Sequence, residues 1–279
     1  LSIYSDLFQG GKHENKNILL GLALVLLAFG TIQTVKADAD SEQVKAIQKR
    51  GVLNVGVKQD VPNFGYLNPE NNTYSGLEID LAKKIAKELG VKINYVPVTA
   101  QTRGPLLDNG QVDIVIATFT ITDERKLLYN FTTPYYTDAS GFLVNKSSKI
   151  KNLEDLDGKT IGVVQGSITQ TLLEEIAKEK KLHFKYVELG SYPELAVSLR
   201  AHRIDAFSVD QSILTGYVSS KSTILDYSFK TADYGVVSKK SNTGLNDYLN
   251  GLITAWKKDG SLQKLYDKYQ LKPSTSADD

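Results

Sequence analysis

Leu77–Gly90, LEIDLAKKIAKELG, sets the frame for the rest of the chain. Its apolar residues recur at helical spacing, and Gly90 supplies a stop, so residues 77–89 are predicted helical. Just upstream, Val52–Val57 (VLNVGV) is a short β-branched run and reads as a strand. Downstream, Val91–Val98 reads as a second strand. Pro105–Asn109 reads as a short helix closed by Gly110, and Val112–Ala117 (VDIVIA) as a third strand. Strand, helix, strand, helix in this order predicts a mostly parallel sheet with helices on its faces.

A second set of the same kind follows. Leu153–Leu156 and Gly158 precede a strand at Thr160–Val164, then a turn at Gly166-Ser167. Helix is expected at Gln170–Lys180, strand at Phe184–Val187, helix at Pro193–Ala201 and strand at Ile204–Val209 (IDAFSV). Both sets contain a helix, a small polar turn, then V-D-I or I-D-A opening a strand. Two similar α/β lobes are therefore expected. Thr133–Val144 and Phe229–Ser238 are extended segments that would join them. Two crossings make a hinge, and the cleft between lobes is where a small ligand would sit. The helices at Leu245–Asp259 and Leu262–Tyr269 have no third domain to build, so they must return to the first lobe. The expected organisation is residues 43–134 and 231–272 in one lobe, 135–230 in the other, and a disordered tail at 273–279.

The 279-residue chain balances 33 Lys+Arg against 32 Asp+Glu and is 41% hydrophobic. That balance argues against nucleic acid or an anionic membrane as the main partner. The absence of cysteine excludes disulfides, thiolate metal sites, cysteine nucleophiles and a lipidated cysteine anchor. Three scattered His argue against a zinc enzyme, and no cofactor or metal is expected. Lys12 and Lys16 precede the apolar run Ile18–Gly30, which has the length of a signal-peptide core. Ala37 and Ala39 fit small-x-small cleavage. Residues 1–39 thus read as an N-terminal extension and export signal. The mature protein is expected to be periplasmic or extracellular, not lipid-anchored, and monomeric. A buried core helix is the alternative for the apolar run.

Candidate binding groups follow the strands, where open α/β sheets hold ligands. Thr118 to Arg125 supplies the hydroxyls of Thr118 and Thr120, amides at a helix start and the Arg125 guanidinium. Together these suit a carboxylate, and a plain capping turn is the competing reading. Asp210 ends a strand and could hold an ammonium group or cap the next helix. Gly166-Ser167-Ile168-Thr169 offers amides and the hydroxyls of Ser167 and Thr169, as any strand-to-helix turn does. Lys58 and Arg103 stand after adjoining strands. They are solvated surface charges, or they make a cationic cleft suited to a second carboxylate. Glu78 and Asp80 read as a solvated helix face.

Seven ordered segments carry a resemblance over residues 43–271. They are VGVKQDVPNFGYLN (55–68), YSGLEIDLAKKIAKELG (74–90), VDIVIATFTITDERKLLYNFTTPYY (112–136), LEDLDGKTIGVVQGS (153–167), RIDAFSVDQSIL (203–214), DYGVVSKK (233–240) and WKKDGSLQKLYDKY (256–269). The chain resembles the polar amino-acid-binding proteins of ABC importers, solute-binding family 3, nearest the aspartate/glutamate branch. The resemblance implies a two-lobed type II periplasmic-binding fold with a two-strand hinge. It implies an amino-acid ligand captured by lobe closure, a membrane permease as partner, and no catalysis. By position it assigns Arg125 to the α-carboxylate, with Thr120 and the amides near Ser167. Asp210 goes to the α-ammonium, with Thr118 beside it. Phe64 and Tyr66 stand near the cleft mouth. Lys58 and Arg103 would receive a side-chain carboxylate, which is the ground for an acidic ligand. Glutamine or cysteine is the alternative, and Ile168 departs from the small or hydroxyl residue of many relatives. An enzyme of the prephenate or arogenate dehydratase kind, a receptor domain and an adhesin are the rivals.

Overall fold

The computed structural model describes residues 41–274. The expected export signal lies outside the described residues. Among those described, no helix is long and apolar enough to cross a membrane.

Ser41 begins the first helix: its hydroxyl accepts the Val44 amide at 3.1 Å, capping α1 (Glu42–Arg50). Gly51, with φ +75°, ends it and feeds β1 (Val52–Val57). β1 pairs in parallel with β5 (Lys92–Pro97) on one side and β6 (Ile114–Ile116) on the other. Two short strands complete this sheet in antiparallel pairing, β14 (Val237–Lys239) on β6 and β7 (Tyr129–Phe131) on β14. The crossovers are α2 (Leu77–Leu89) and α3 (Arg103–Asp108), and α4 (Asp123–Leu128) leads into β7. A small antiparallel sheet, β2 (Asp60–Val61), β3 (Gly65–Asn68) and β4 (Thr73–Ser75), interrupts the first crossover.

The second sheet repeats the plan. β9 (Thr160–Val164) lies between β10 (Lys185–Leu189) and β11 (Ala206–Asp210), parallel to both. The helices here are α5 (Thr169–Lys180), α6 (Tyr192–Arg200) and α7 (Gln211–Thr215). The ten-residue β8 (Tyr136–Asn145) runs antiparallel to β11, to β12 (Ser222–Ile224) and to β13 (Phe229–Tyr234). Each sheet is thus mixed, its pairing parallel in one half only. Most strands of each sheet nevertheless share the βαβ direction, as expected, and one strand in each runs against it: β14 in the first sheet and β8, which enters from the crossing, in the second.

β8 and β13 are the crossings. They pair as a ribbon, Tyr136 opposite Tyr234 and Thr137 opposite Asp233, and Tyr135 N donates to Tyr234 O at 2.9 Å. α8 (Thr243–Lys258) packs on α1 and on β14 and β7, and α9 (Ser261–Lys268) packs on α8 and α2. Both therefore return to the first sheet. Trp256 of α8 is buried with the Lys84 ammonium 4.7 Å from its ring centroid. The tail expected from residue 273 is engaged at its start, since Ser274 N donates to Thr137 O at 2.9 Å.

Strand period explains the core. Ile114 and Ile116 of β6 enter one apolar cluster with Val55, Leu81 and Ile85, while Val115 between them joins Val98, Leu107 and Val237 on the opposite face. In the second sheet Phe142, Val144, Ile161 and Val163 meet Leu173 and Ile176, while Leu143 and Val164 face the other way. With both faces covered, the carboxyl ends of the strands are what remains open to a ligand.

Gly76 starts α2 at φ +125°, a conformation closed to L side chains, and a Cβ there would lie 2.0 Å from the Phe64 carbonyl oxygen. Gly76→Ala is expected to cost more than about 2 kcal/mol in a urea denaturation curve. An unchanged midpoint would contradict this packing.

Candidate functional site

Three neighbouring strands of the first sheet end in the groups singled out above. Lys58 leaves β1, Arg103 opens α3 after β5, and Thr118 and Thr120 follow β6. All four are buried. The Lys58 ammonium sits 3.0 Å from Asp60 Oδ1 and 4.9 Å from the ring centroid of Tyr192. Burial pulls its pKa down, and the Asp60 carboxylate opposes that. Helix α3 begins two residues before the predicted Pro105, so Arg103 lies on its first turn rather than in a loop. Its Nη1 donates to the carbonyls of Ala117 (2.6 Å) and Thr118 (2.9 Å), and its guanidinium lies 4.0 Å from the Phe119 centroid. Its buried Nε has no partner.

Arg125 meets both readings of its segment. Thr122 caps α4 by accepting the Arg125 amide at 3.2 Å, and the side chain still reaches across the cleft. Nη1 donates to Thr120 O at 2.9 Å, and Nη2 to Gly166 O at 3.1 Å in the turn after β9. Burial, then the Arg103 charge, lowers its pKa to about 9.

From the second lobe comes Asp210. It occupies the start of α7 but makes no cap. Its Oδ1 accepts from Ser140 Oγ at 2.9 Å and its Oδ2 from the Tyr234 hydroxyl. Burial raises its pKa, while these two hydroxyls and the charges of Arg103 and Arg125 oppose the rise. Phe64 is buried edge-on to Tyr136 (5.1 Å) and Tyr234 (6.0 Å), a wall behind this network. Tyr66 instead lines a rim pocket with Pro193 and Tyr217. Ser167 differs from expectation. Its amide (3.2 Å) and hydroxyl (2.7 Å) both donate to Val164 O, so turn closure uses the groups assigned to a carboxylate. Ile168 heads α5 without a side-chain cap, and Thr169 is buried at its first position.

The lobes meet at further points. The Tyr217 hydroxyl donates to Asp60 O. Gly166 packs on Gln101, and Gly216 on Pro62. The charged groups therefore sit in a closed junction.

Glu78 is not on a solvated face, as expected from its charge. It is fully buried, because the helical spacing that buries Leu81, Ala82 and Ile85 includes position 78. Oε1 accepts the Thr118 amide at 2.6 Å and the Tyr135 hydroxyl at 2.5 Å, while Oε2 has no partner. Burial pushes the carboxyl up to about 7. Thr118 has φ +45°, costly for a β-branched residue, and the Glu78 carboxylate holds its amide there. Asp80 is tied up by Lys83, Lys268 and Tyr269. Asp138 was also missed. It is buried on β8, accepts Ser212 N at 3.1 Å, and is pushed up to about 8 by burial and by Asp210. Asp60, Tyr192 and Tyr234 complete the groups that spacing alone did not flag. Among the described residues no group of His, Asp or Glu is arranged to hold a metal.

Residues 53–272 match the bacterial extracellular solute-binding proteins, family 3. The chain belongs to that family. A glutamine-binding protein of an ABC transporter from Bacillus subtilis (strain 168) is 32% identical, covering 88% of this chain and 93% of the relative. The L-cystine-binding protein TcyJ of Escherichia coli (strain K12) is 31% identical over 92% and 96%. Among solved structures, an ancestral arginine-binding protein bound to arginine is 36% identical, with TM-score 0.72, covering 79% of this chain and 98% of that one. An ancestral arginine-binding protein bound to glutamine is 35% identical, also with TM-score 0.72 and covering 79% of this chain and 98% of that one. As a family 3 solute-binding protein, the chain has the two-lobed α/β fold, and the relatives named above are amino-acid-binding proteins.

Two outcomes follow from this geometry. A Cβ at Gly166 (φ +77°) would lie 2.7 Å from Gln101 Cα across the junction. Gly166→Ala is expected to cost about 1 kcal/mol of stability in the free protein, because φ +77° disfavours an L side chain, and under the function proposed below to weaken ligand affinity about tenfold by opposing closure. Glu78 binds its proton more tightly folded (about 7) than unfolded (4.5). Its stabilising contribution is therefore full below about 4.5 and lost as pH rises through 7. Relative to Glu78→Gln, the wild-type protein should lose about 3 kcal/mol across that window in urea unfolding. A flat difference would refute the assignment.

Proposed function

We propose that this protein is the exported amino-acid-capturing component of an ABC importer, and that its ligand side chain ends in a hydrogen-bond acceptor, glutamine first. Arg125 receives the α-carboxylate and Asp210 the α-ammonium, so a zwitterion matches this end of the site. At the side-chain end, the observation that carries the reading is the Lys58–Asp60 pair at 3.0 Å. It neutralises a cation that would otherwise demand an acid, leaving donors without net charge. The glutamine-named relative and the glutamine-bound ancestral structure support the same choice. Aspartate or glutamate is the second reading, favoured by Arg103, whose Nε is buried without a partner. A Lys or Arg ligand would place like charges together in a dry site.

In this reading residues 43–134 and 231–272 form one lobe and 135–230 the other. The β8–β13 ribbon bends, Arg125 bridges to Gly166, and the closed form is offered to a permease driven by a separate ATPase. Nothing happens chemically to the ligand. Export rests on the signal at Lys12 to Ala39.

Calorimetric titration of refolded, ligand-stripped protein with glutamine, glutamate, aspartate, cystine and arginine tests this. Glutamine should bind with a dissociation constant of about 1 μM or tighter, and Arg125→Ala should weaken it about 100-fold. Asp60→Asn, by unmasking Lys58, should shift preference toward glutamate and aspartate about tenfold. Preference for arginine would sink the side-chain assignment, and no binding of any amino acid would sink the receptor reading.

A further inference from the structure

The geometry points to Glu78 as a specificity-positioning residue: a proton on its buried carboxyl switches the side-chain pocket from favouring a neutral amide to favouring an acid. This rests on the amino-acid receptor reading above.

Glu78 does not face the ligand groups directly. It acts through a short covalent and hydrogen-bonded path. Its Oε1 holds the Thr118 amide, and the Thr118 carbonyl, in the next peptide unit, receives Arg103 Nη1. The Arg103 guanidinium carbon also lies 4.0 Å from the Phe119 centroid, and its hydrogen bond to the Thr118 carbonyl ties its orientation to the Thr118 turn. That turn is left-handed at a threonine and would relax without an acceptor for its amide.

The electrostatics run the same way. The charged and titratable groups around Glu78 are Lys58 with its partner Asp60 after β1, Arg103 on α3, Tyr135 before β8 and Tyr192 at the head of α6. With Glu78 ionised, the two cations Lys58 and Arg103 are matched by two carboxylates. With Glu78 protonated, one positive charge is unmatched, and a ligand carboxylate completes the balance. Glu78 Oε2 is buried with no partner, a position in which a neutral oxygen costs less than a charged one. Burial holds the carboxyl near 7, so either form is accessible around neutrality. Linkage is reciprocal: a ligand carboxylate that favours the proton must bind better when the proton is present.

The test has two arms. In the first, the Thr118 amide resonance of ligand-free protein is followed by two-dimensional ¹H–¹⁵N NMR against pH. It should titrate with a midpoint near 7 and be flat in Glu78→Gln. In the second, calorimetry gives affinities for glutamate and glutamine at about pH 6 and pH 8. The glutamate-to-glutamine affinity ratio should be about tenfold higher at the lower pH, and constant in Glu78→Gln. Glutamate binding by the wild type near pH 8 should also take up a proton, seen as a heat that varies with buffer ionisation enthalpy, whereas glutamine binding should not. This wild-type measurement stands if the variant does not fold. A pH-independent ratio, equal proton uptake for both ligands, or a Thr118 amide that does not titrate would each overturn the proposal. Absence of amino-acid binding at every pH would instead overturn the receptor reading, and the preference switch with it, while the Thr118 titration would still be seen.

Discussion

Arg125 shares its guanidinium between the Thr120 carbonyl of one lobe and the Gly166 carbonyl of the other. Nearly everything else in the junction is arranged around that bridge. A guanidinium removed from water needs acceptors, and backbone carbonyls supply them without adding a counter-charge. The cation is thus held in place but not neutralised, which its lowered pKa reflects. In the proposed function, a carboxylate arriving from solution completes what the backbone began. Asp210 is treated in the mirror sense. Hydroxyls of Ser140 and Tyr234 hold it without cancelling its charge. A pair of such unbalanced groups is costly to close over empty space and inexpensive to close over a zwitterion.

The side-chain end follows a different rule. Lys58 and Arg103 are cations delivered by adjoining strands, as spacing after β1 and β5 implied. Spacing did not show that each has a carboxylate nearby, Asp60 in direct contact and Glu78 acting through space. Charge counted residue by residue pointed to an acidic ligand, whereas charge counted by pairs is what supports the neutral ligand of the proposed function. Asp60 lies only two residues from Lys58, but on a bent stretch between β1 and β2, and no strand periodicity brings the two side chains together.

How much could be read from the chain alone divides along the same line. Helix α2, β1 and β9 fall at their predicted bounds because long periodic runs and a glycine stop are local signals. The small sheet β2–β4 was missed, its strands being too short to show alternation. The reversed strand within each mostly parallel sheet, β14 and β8, carries no local signal, because its direction is set by which lobe the chain arrives from. Glu78 is the instructive error. Its charge suggested solvent, but its place in the repeat with Leu81, Ala82 and Ile85 marked the buried face. Periodicity was the better guide, since a carboxylate with two donors can be buried and a helix cannot turn one residue away from its own face.

The chain has one tryptophan, Trp256, shielded on α8 beneath the Lys84 ammonium, and fifteen tyrosines, of which Tyr135, Tyr136, Tyr192, Tyr217 and Tyr234 crowd the junction. The two chromophores therefore watch different events. Tryptophan emission should register loss of the α8 packing, while near-ultraviolet signals from the phenol rings should report any rearrangement of the junction. Unfolding and the lobe closure of the proposed function should therefore be separable optically in the native sequence, without a label.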